Sequence, residues 1–148
     1  MSTDTWIRTR NRVREPRAPR GILDTSVVIE LEQIEPDRLP LELTISTVTL
    51  AELAAGPHAT ADAVERARRQ ERLQRTEATL TALPVDVGVA RAYGRVYAAV
   101  AHAGRKARGR RTVDLLIAAT ALAHDLPLYT RNPGDFAALD DLLSVVAI

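Results

Sequence analysis

The chain has 148 residues, 46% of them apolar but only 3% aromatic, and a formal net charge of +1. That is the size of one domain whose core is built from Leu, Val, Ile and Ala. The absence of cysteine excludes disulfides, thiolate metal sites and cysteine nucleophiles, and no apolar run approaches the ~20 residues of a membrane span.

Residues 1–20 read as a basic, flexible tail. They hold six arginines against Asp4 and Glu15, a local charge of +4, with Pro16 and Pro19 and no apolar periodicity. The remaining residues, 21–148, form the domain and carry 14 basic against 17 acidic side chains. No apolar stretch of the signal-peptide kind opens the chain, so a cytoplasmic protein is expected.

Along the domain, strand-like and helix-like segments alternate. Ile22–Asp24 is a strand, and a helix begins at Val27 and is ended by Pro36. Leu43–Thr47 is a second strand, and Thr49–Ala55 a helix stopped by Gly56 and Pro57. Residues 60–82 form a long charged helix with Val64, Ala67, Leu73 and Leu80 as its apolar positions. Leu83–Val85 is a short strand, and residues 88–103 a helix with Val89, Tyr93, Val96 and Val100 spaced by three and four. A glycine-punctuated basic loop, GRKARGRR, covers 104–111, and the nearly all-apolar residues 113–124 form a buried helix. Strands at Pro127–Thr130 and Leu143–Ile148 close the chain. Such alternation implies an α/β fold in three layers, a mostly parallel sheet flanked by helices.

In folds of this kind functional residues gather beyond the carboxyl ends of the strands. Asp24, Glu52, Asp114, Asn132 and Asp135 all fall at such positions. Each acid also has a local reading. Asp24 can cap the following helix, Glu52 lies at capping-box spacing from Thr49, Asp114 sits in a first helical turn, and Asp135 in a turn. Together they say more. Two carboxylates ~4 Å apart repel by roughly 4 kcal/mol at an effective dielectric near 20, so several at one edge need raised pKa values or a cation. The donors are all oxygen, and His58, His102 and His124 lie elsewhere, which suits Mg²⁺ or Mn²⁺. Thr25 and Ser26, with Thr130, are candidates to orient the carboxylates.

Four motifs in order, ILDTSVVIE, ISTVTLAELAAG, TVDLLIAATALAHDLPLYT and YTRNPGDFAAL, resemble those of the PIN-domain ribonucleases, and among them the VapC toxins of bacterial toxin–antitoxin pairs. The resemblance runs over residues 21–148. It implies a PIN-like fold and a Mg²⁺- or Mn²⁺-dependent endoribonuclease that cuts structured RNA such as tRNA or rRNA. It further implies a cognate antitoxin, a homodimer and a toxin–antitoxin hetero-oligomer. Carried onto this chain, it makes Asp24 and Asp114 metal ligands and Glu52 a direct or water-mediated one. Asp135, with Asn132 as partner, positions a second metal or the attacking water. Many relatives have an acid where Asn132 stands, so either Asn132 or Asp135 completes the site, and the number of ions stays open.

The loop residues Arg105, Lys106, Arg108, Arg110 and Arg111 precede Asp114 and are read as RNA phosphate contacts. No aromatic platform for base stacking is visible. A haloacid-dehalogenase-type phosphatase is disfavoured because Ser26 stands where its second Asp is needed. NTP hydrolysis is disfavoured because no glycine-rich phosphate loop with a Lys is present. The remaining alternative is a catalytically inactive PIN-like module that binds RNA or protein.

Overall fold

Five short strands make one parallel sheet in the computed structural model, which describes residues 16–104 and 110–148. They are β1 (Arg20–Leu23), β2 (Glu42–Ser46), β3 (Thr81–Leu83), β4 (Leu128–Thr130) and β5 (Val145–Ala147), in the spatial order β3-β2-β1-β4-β5. The sequence pointed to a mostly parallel sheet, and every neighbouring pair is parallel. The chain steps outward from β1 through β2 to β3, then returns across β1 to lay β4 and β5 on its other side. That reversal at β1 opens a crevice outside the carboxyl ends of the central strands, where sheets of this type place their ligands.

Alternation along the strands sorts the core into two halves, because successive side chains point to opposite faces. Ile22 and Leu128 pack with Val89, Val96 and Val100 of α4 (Val87–His102) and Leu115, Ile117 and Ala118 of α5 (Arg110–Ala123). Their neighbours Leu23 and Tyr129 pack on the opposite face with Ile45 of β2. Val27 and Val28 of α1 (Thr25–Ile29) and Leu53 of α2 (Thr47–Ala55) complete that half. Each fully buried Leu, Ile or Val removed from water contributes ~1.5–3 kcal/mol. Both faces of the sheet are therefore covered, the condition under which a parallel sheet is stable.

Several boundaries differ from the sequence expectation, each for a local reason. Asp24 does not end β1 but caps α1, its Oδ1 accepting from the Thr25 N–H at 2.9 Å. The helix expected from Val27 to Gln33 starts earlier and is short, followed by 3-10 turns at Leu31–Gln33 and Pro36–Arg38. α2 begins at Thr47 because Ser46 is its cap, accepting from the Val48 N–H at 3.2 Å. Glu52 is therefore not half of a capping box with Thr49, which lies inside the helix. α3 (Ala63–Thr79) is shorter than the expected 60–82, because Asp62 caps its start with bonds to the Val64 and Glu65 N–H groups. Of its expected apolar positions, Leu73 and Leu80 pack on the core, whereas Val64 is 70% exposed. β3 falls two residues before the expected Leu83–Val85.

The last residues of the expected tail are part of the domain. Arg20 opens β1, and the Arg17 guanidinium donates to the carbonyls of Leu39 and Pro40 at 2.9 and 3.1 Å. Residues 1–15 lie outside the described residues, as do Arg105, Lys106 and Arg108 of the expected basic loop. Arg110 and Arg111, expected in that loop, instead lie in α5.

Candidate functional site

The start of α1, the second half of α2, the first part of α5 and the loop after β4 enclose a polar cavity of about 390 Å³ at the carboxyl end of the sheet. It is lined by Asp24, Thr25, Ser26, Glu52, Arg111, Asp114, Asn132 and Asp135. All five acids and amides singled out in the sequence meet there, from four separate stretches of chain.

Asp24 is the most fixed of them. Its side chain is buried to 5% exposure, and its backbone N–H donates to the Tyr129 carbonyl at 2.9 Å, extending the pairing of β1 with β4. Its Oδ1 accepts from the Thr25 N–H, and its Oδ2 accepts from the hydroxyls of Ser26 at 3.0 Å and Thr130 at 2.8 Å. Three donors thus stabilise a carboxylate at the end of an apolar strand, where an unpaired charge is prohibitive. The two hydroxyls also accept. Thr130 Oγ1 takes the Asn132 N–H at 3.0 Å and Ser26 Oγ the Arg131 N–H at 3.3 Å. Asp24 is therefore tied to the loop that carries Asn132 and Asp135. An ion pair from Arg131 Nε to Glu30 Oε2 at 2.6 Å braces the same loop against the end of α1.

Glu52 projects from α2 half-buried, its Oε1 accepting from the Thr25 hydroxyl at 2.7 Å. Thr25 Oγ1 also meets Thr49 Oγ1 at 3.1 Å. Asp114 is the fifth residue of α5, past the first turn where the sequence put it, so its place is not a response to the helix dipole. Asp135 lies in the 3-10 turn Pro133–Leu139, its N–H bonded to the Asn132 carbonyl at 3.1 Å, and its side chain is exposed. Arg111 adds one positive side chain among the acids, and its Nη1 is buried with no hydrogen-bond partner among the described residues. His58, His102 and His124 are not part of the lining.

The donor set is hard oxygen with no sulfur or imidazole, the chemistry that Mg²⁺ and Mn²⁺ prefer. Among the described residues, no three acids or histidines stand close enough together to hold one ion as they are. The donors instead ring the cavity, with Asp24 and Glu52 held from behind by hydroxyls.

Sequence reasoning singled out Thr25 and Thr130 but missed two further buried threonines. Thr49 and Thr120 have no exposed surface, and Thr120 bonds Ser46 Oγ at 3.0 Å, linking α5 to the cap of α2. The available signal was a run of Thr and Ser at positions that a sheet and its helices bury.

Comparison with known proteins gives a consistent answer. The PIN-domain family model matches residues 22–142. Ribonuclease VapC5 of Mycobacterium tuberculosis is 40% identical over 131 residues, 86% of this chain and 93% of that protein. A VapC ribonuclease of Sinorhizobium fredii is 35% identical over 129 residues, 79% of this chain and 90% of that one. The crystal structure of VapBC-5 from Mycobacterium tuberculosis, of the VapBC family of toxin–antitoxin systems, superposes with a TM-score of 0.75. That match has 40% identity and covers 88% of this chain and 98% of that one. With the family model spanning most of its length and a VapC ribonuclease 40% identical to it, the protein belongs to the PIN-domain family, within the VapC ribonucleases.

Proposed function

We propose that the chain is the toxin of a toxin–antitoxin pair, a Mg²⁺- or Mn²⁺-dependent endoribonuclease that cuts structured RNA, tRNA or rRNA, in the cytoplasm. The observation that carries this reading is the single cavity lined by Asp24, Glu52, Asp114, Asn132 and Asp135. Asp24 and Asp114 are assigned as metal ligands and Glu52 as a direct or water-mediated one. Asp135, with Asn132 as its partner, positions the attacking water or a further ion. A cation at a common centre would offset the mutual repulsion of these carboxylates. A bound Mg²⁺ supplies an acidified water and braces a phosphoryl oxygen.

The chain's own groups do the remaining work. Ser26 and Thr130 hold Asp24 in one orientation, and Thr25 does the same for Glu52. Arg111 is assigned to the RNA phosphate, since it is a positive side chain lining the cavity beside the acids. Arg105, Lys106, Arg108 and Arg110 are assigned to flanking phosphates, so that binding weakens steeply with salt. The antitoxin is assigned to the cleft of about 630 Å³ between α1 and α3. Exposed Ile29 lies there among the charges of Glu30, Arg68, Glu71, Arg72 and Arg75. A relative of known structure carries the name of both components, VapBC-5. Homodimerisation and a toxin–antitoxin hetero-oligomer belong to the same proposal.

The test is sequencing of RNA 5′ ends after expression of the chain, against Asp114→Asn, together with cleavage in vitro with Mg²⁺ and with EDTA. New 5′ ends that vanish with Asp114→Asn and Asp24→Asn support the assignment. A folded Asp24→Asn protein with full activity sinks it, and no cleavage under any condition favours the inactive RNA- or protein-binding module.

A further inference from the structure

Glu52 hangs from a chain of two hydroxyls whose direction is fixed by counting hydrogens. Thr25 Oγ1 lies 2.7 Å from Glu52 Oε1 and 3.1 Å from Thr49 Oγ1. Each threonine has one hydroxyl hydrogen. A Glu52 that binds metal is ionised and only accepts, so the hydrogen of Thr25 goes to Glu52. The contact between the two threonines then requires the hydrogen of Thr49. With the hydrogen of Thr25 given to Glu52, the order is Thr49 to Thr25 to Glu52. Thr49 has no exposed surface, so water does not compete for its hydroxyl, and Thr25 is 9% exposed at the cavity wall.

The chain also crosses elements. Thr25 follows Asp24 at the start of α1, and Thr49 sits on α2 one turn before Glu52. Without it, Glu52 is a long side chain free to sample several rotamers. With it, one carboxylate oxygen is pinned from behind. Hydrogen bonds in series polarise one another, so the bond from Thr49 strengthens the one that Thr25 gives to Glu52.

We propose that Thr49 is a positioning residue for Glu52, acting through Thr25 to hold the carboxylate in its metal-binding orientation. The proposal rests on the reading of Glu52 as a metal ligand. It adds to the site a residue that touches neither cation nor RNA.

The experiment is Mn²⁺ binding to the full chain, followed by electron paramagnetic resonance of the free ion, with thermal melts of every variant. Thr49→Val removes the hydroxyl and keeps the shape, whereas Thr49→Ser keeps the hydroxyl. Thr49→Val is expected to weaken Mn²⁺ binding about tenfold, the lower end of what losing an outer partner of a ligand costs. Thr49→Ser is expected to bind like the wild type. A purely structural Thr49 lowers the melting temperature without moving the affinity measured well below it. Wild-type affinity in Thr49→Val, alongside loss in Glu52→Gln, overturns the proposal. Thr25→Val breaks the chain at its other end, and unchanged affinity there overturns it even if Thr49→Val does not fold. Unchanged affinity in Glu52→Gln removes instead the ligand role of Glu52, and the proposal falls with that reading.

Discussion

Thr130→Val is the sharpest probe of how the fold holds a charge at the end of β1. Thr130 has no exposed surface, and its hydroxyl donates to Asp24 Oδ2 at 2.8 Å while accepting the Asn132 N–H at 3.0 Å. Valine fills the same space without the hydroxyl. Asp24 Oδ2 then keeps only Ser26 as a donor, in a site 5% exposed. A hydrogen bond to a charged group contributes ~1.5–3 kcal/mol. Asn132 is exposed, so water replaces the acceptor it loses and adds little to the cost. The expected destabilisation is therefore about 2 kcal/mol, which lowers the melting temperature by about 6 °C in a chain of this size. Urea unfolding followed by circular dichroism measures it directly. Repeating the substitution in an Asp24→Asn background isolates the charge. There the bond is neutral, and the cost of losing it is expected to shrink to about 1 kcal/mol. A cost below about 0.5 kcal/mol, the scatter of an inert surface change, or the same cost in both backgrounds, refutes the account.

Three further outcomes test other parts of the fold. A Cβ on Gly21 meets the Tyr129 ring at 2.5 Å and Pro40 at 2.9 Å, so Gly21→Ala is expected to cost ~1–3 kcal/mol as overpacking, read by urea titration. Phe136 is buried against the α4–α5 half of the core, and Phe136→Ala is expected to cost ~3–5 kcal/mol in the same assay. The pKa of Tyr129 is raised above the usual 10.0, first by burial, against a smaller opposing effect of the Arg17 charge. The folded protein therefore holds this proton longer than the unfolded chain. Its contribution to stability is whole below pH 10 and is lost as pH rises through the folded value. Unfolding measured from pH 8 to pH 11 is expected to show a steeper alkaline loss in the wild type than in Tyr129→Phe, and parallel curves count against it.

The sheet and its helices were legible because apolar spacing is a strong signal. Val89, Val96 and Val100 at intervals of seven and four name the buried side of α4, and all three are buried. Element boundaries were less legible, since capping decides them and caps are polar residues with several possible roles. Ser46 was read as strand and caps α2, so Thr49, read as a cap, is free to serve elsewhere. On α3 the charged pattern resembled an amphipathic helix more than it was one. Arg69 pairs with Glu65 at 3.1 Å and also donates to the Gly56 carbonyl at 2.9 Å, so polar contacts do much of the work expected of Val64 and Ala67.

The site shows the same division. The acids were legible as a set, since each alone has an ordinary local reading and only together do they fall beyond the carboxyl ends of the strands. The hydroxyls of Thr25, Ser26 and Thr130 were legible from their places beside the acids, whereas Thr49 behind Thr25 was not, because a buried threonine in a helix needs no special explanation. Yet the hydroxyls explain why the acids tolerate their positions. Asp24 accepts from one backbone N–H and two hydroxyls, and it still lines the cavity. Capping α1 and presenting a carboxylate are therefore not competing readings of Asp24. The cap uses Oδ1 and the hydroxyls use Oδ2, and together they fix the plane of the carboxylate. A helix start placed at the turn-back of the sheet, beside the loop from β4, turns a local stabilising contact into a fixed oxygen donor. The same economy of position puts Glu52 one turn beyond Thr49, where a helix residue and a threonine from α1 can meet it from behind.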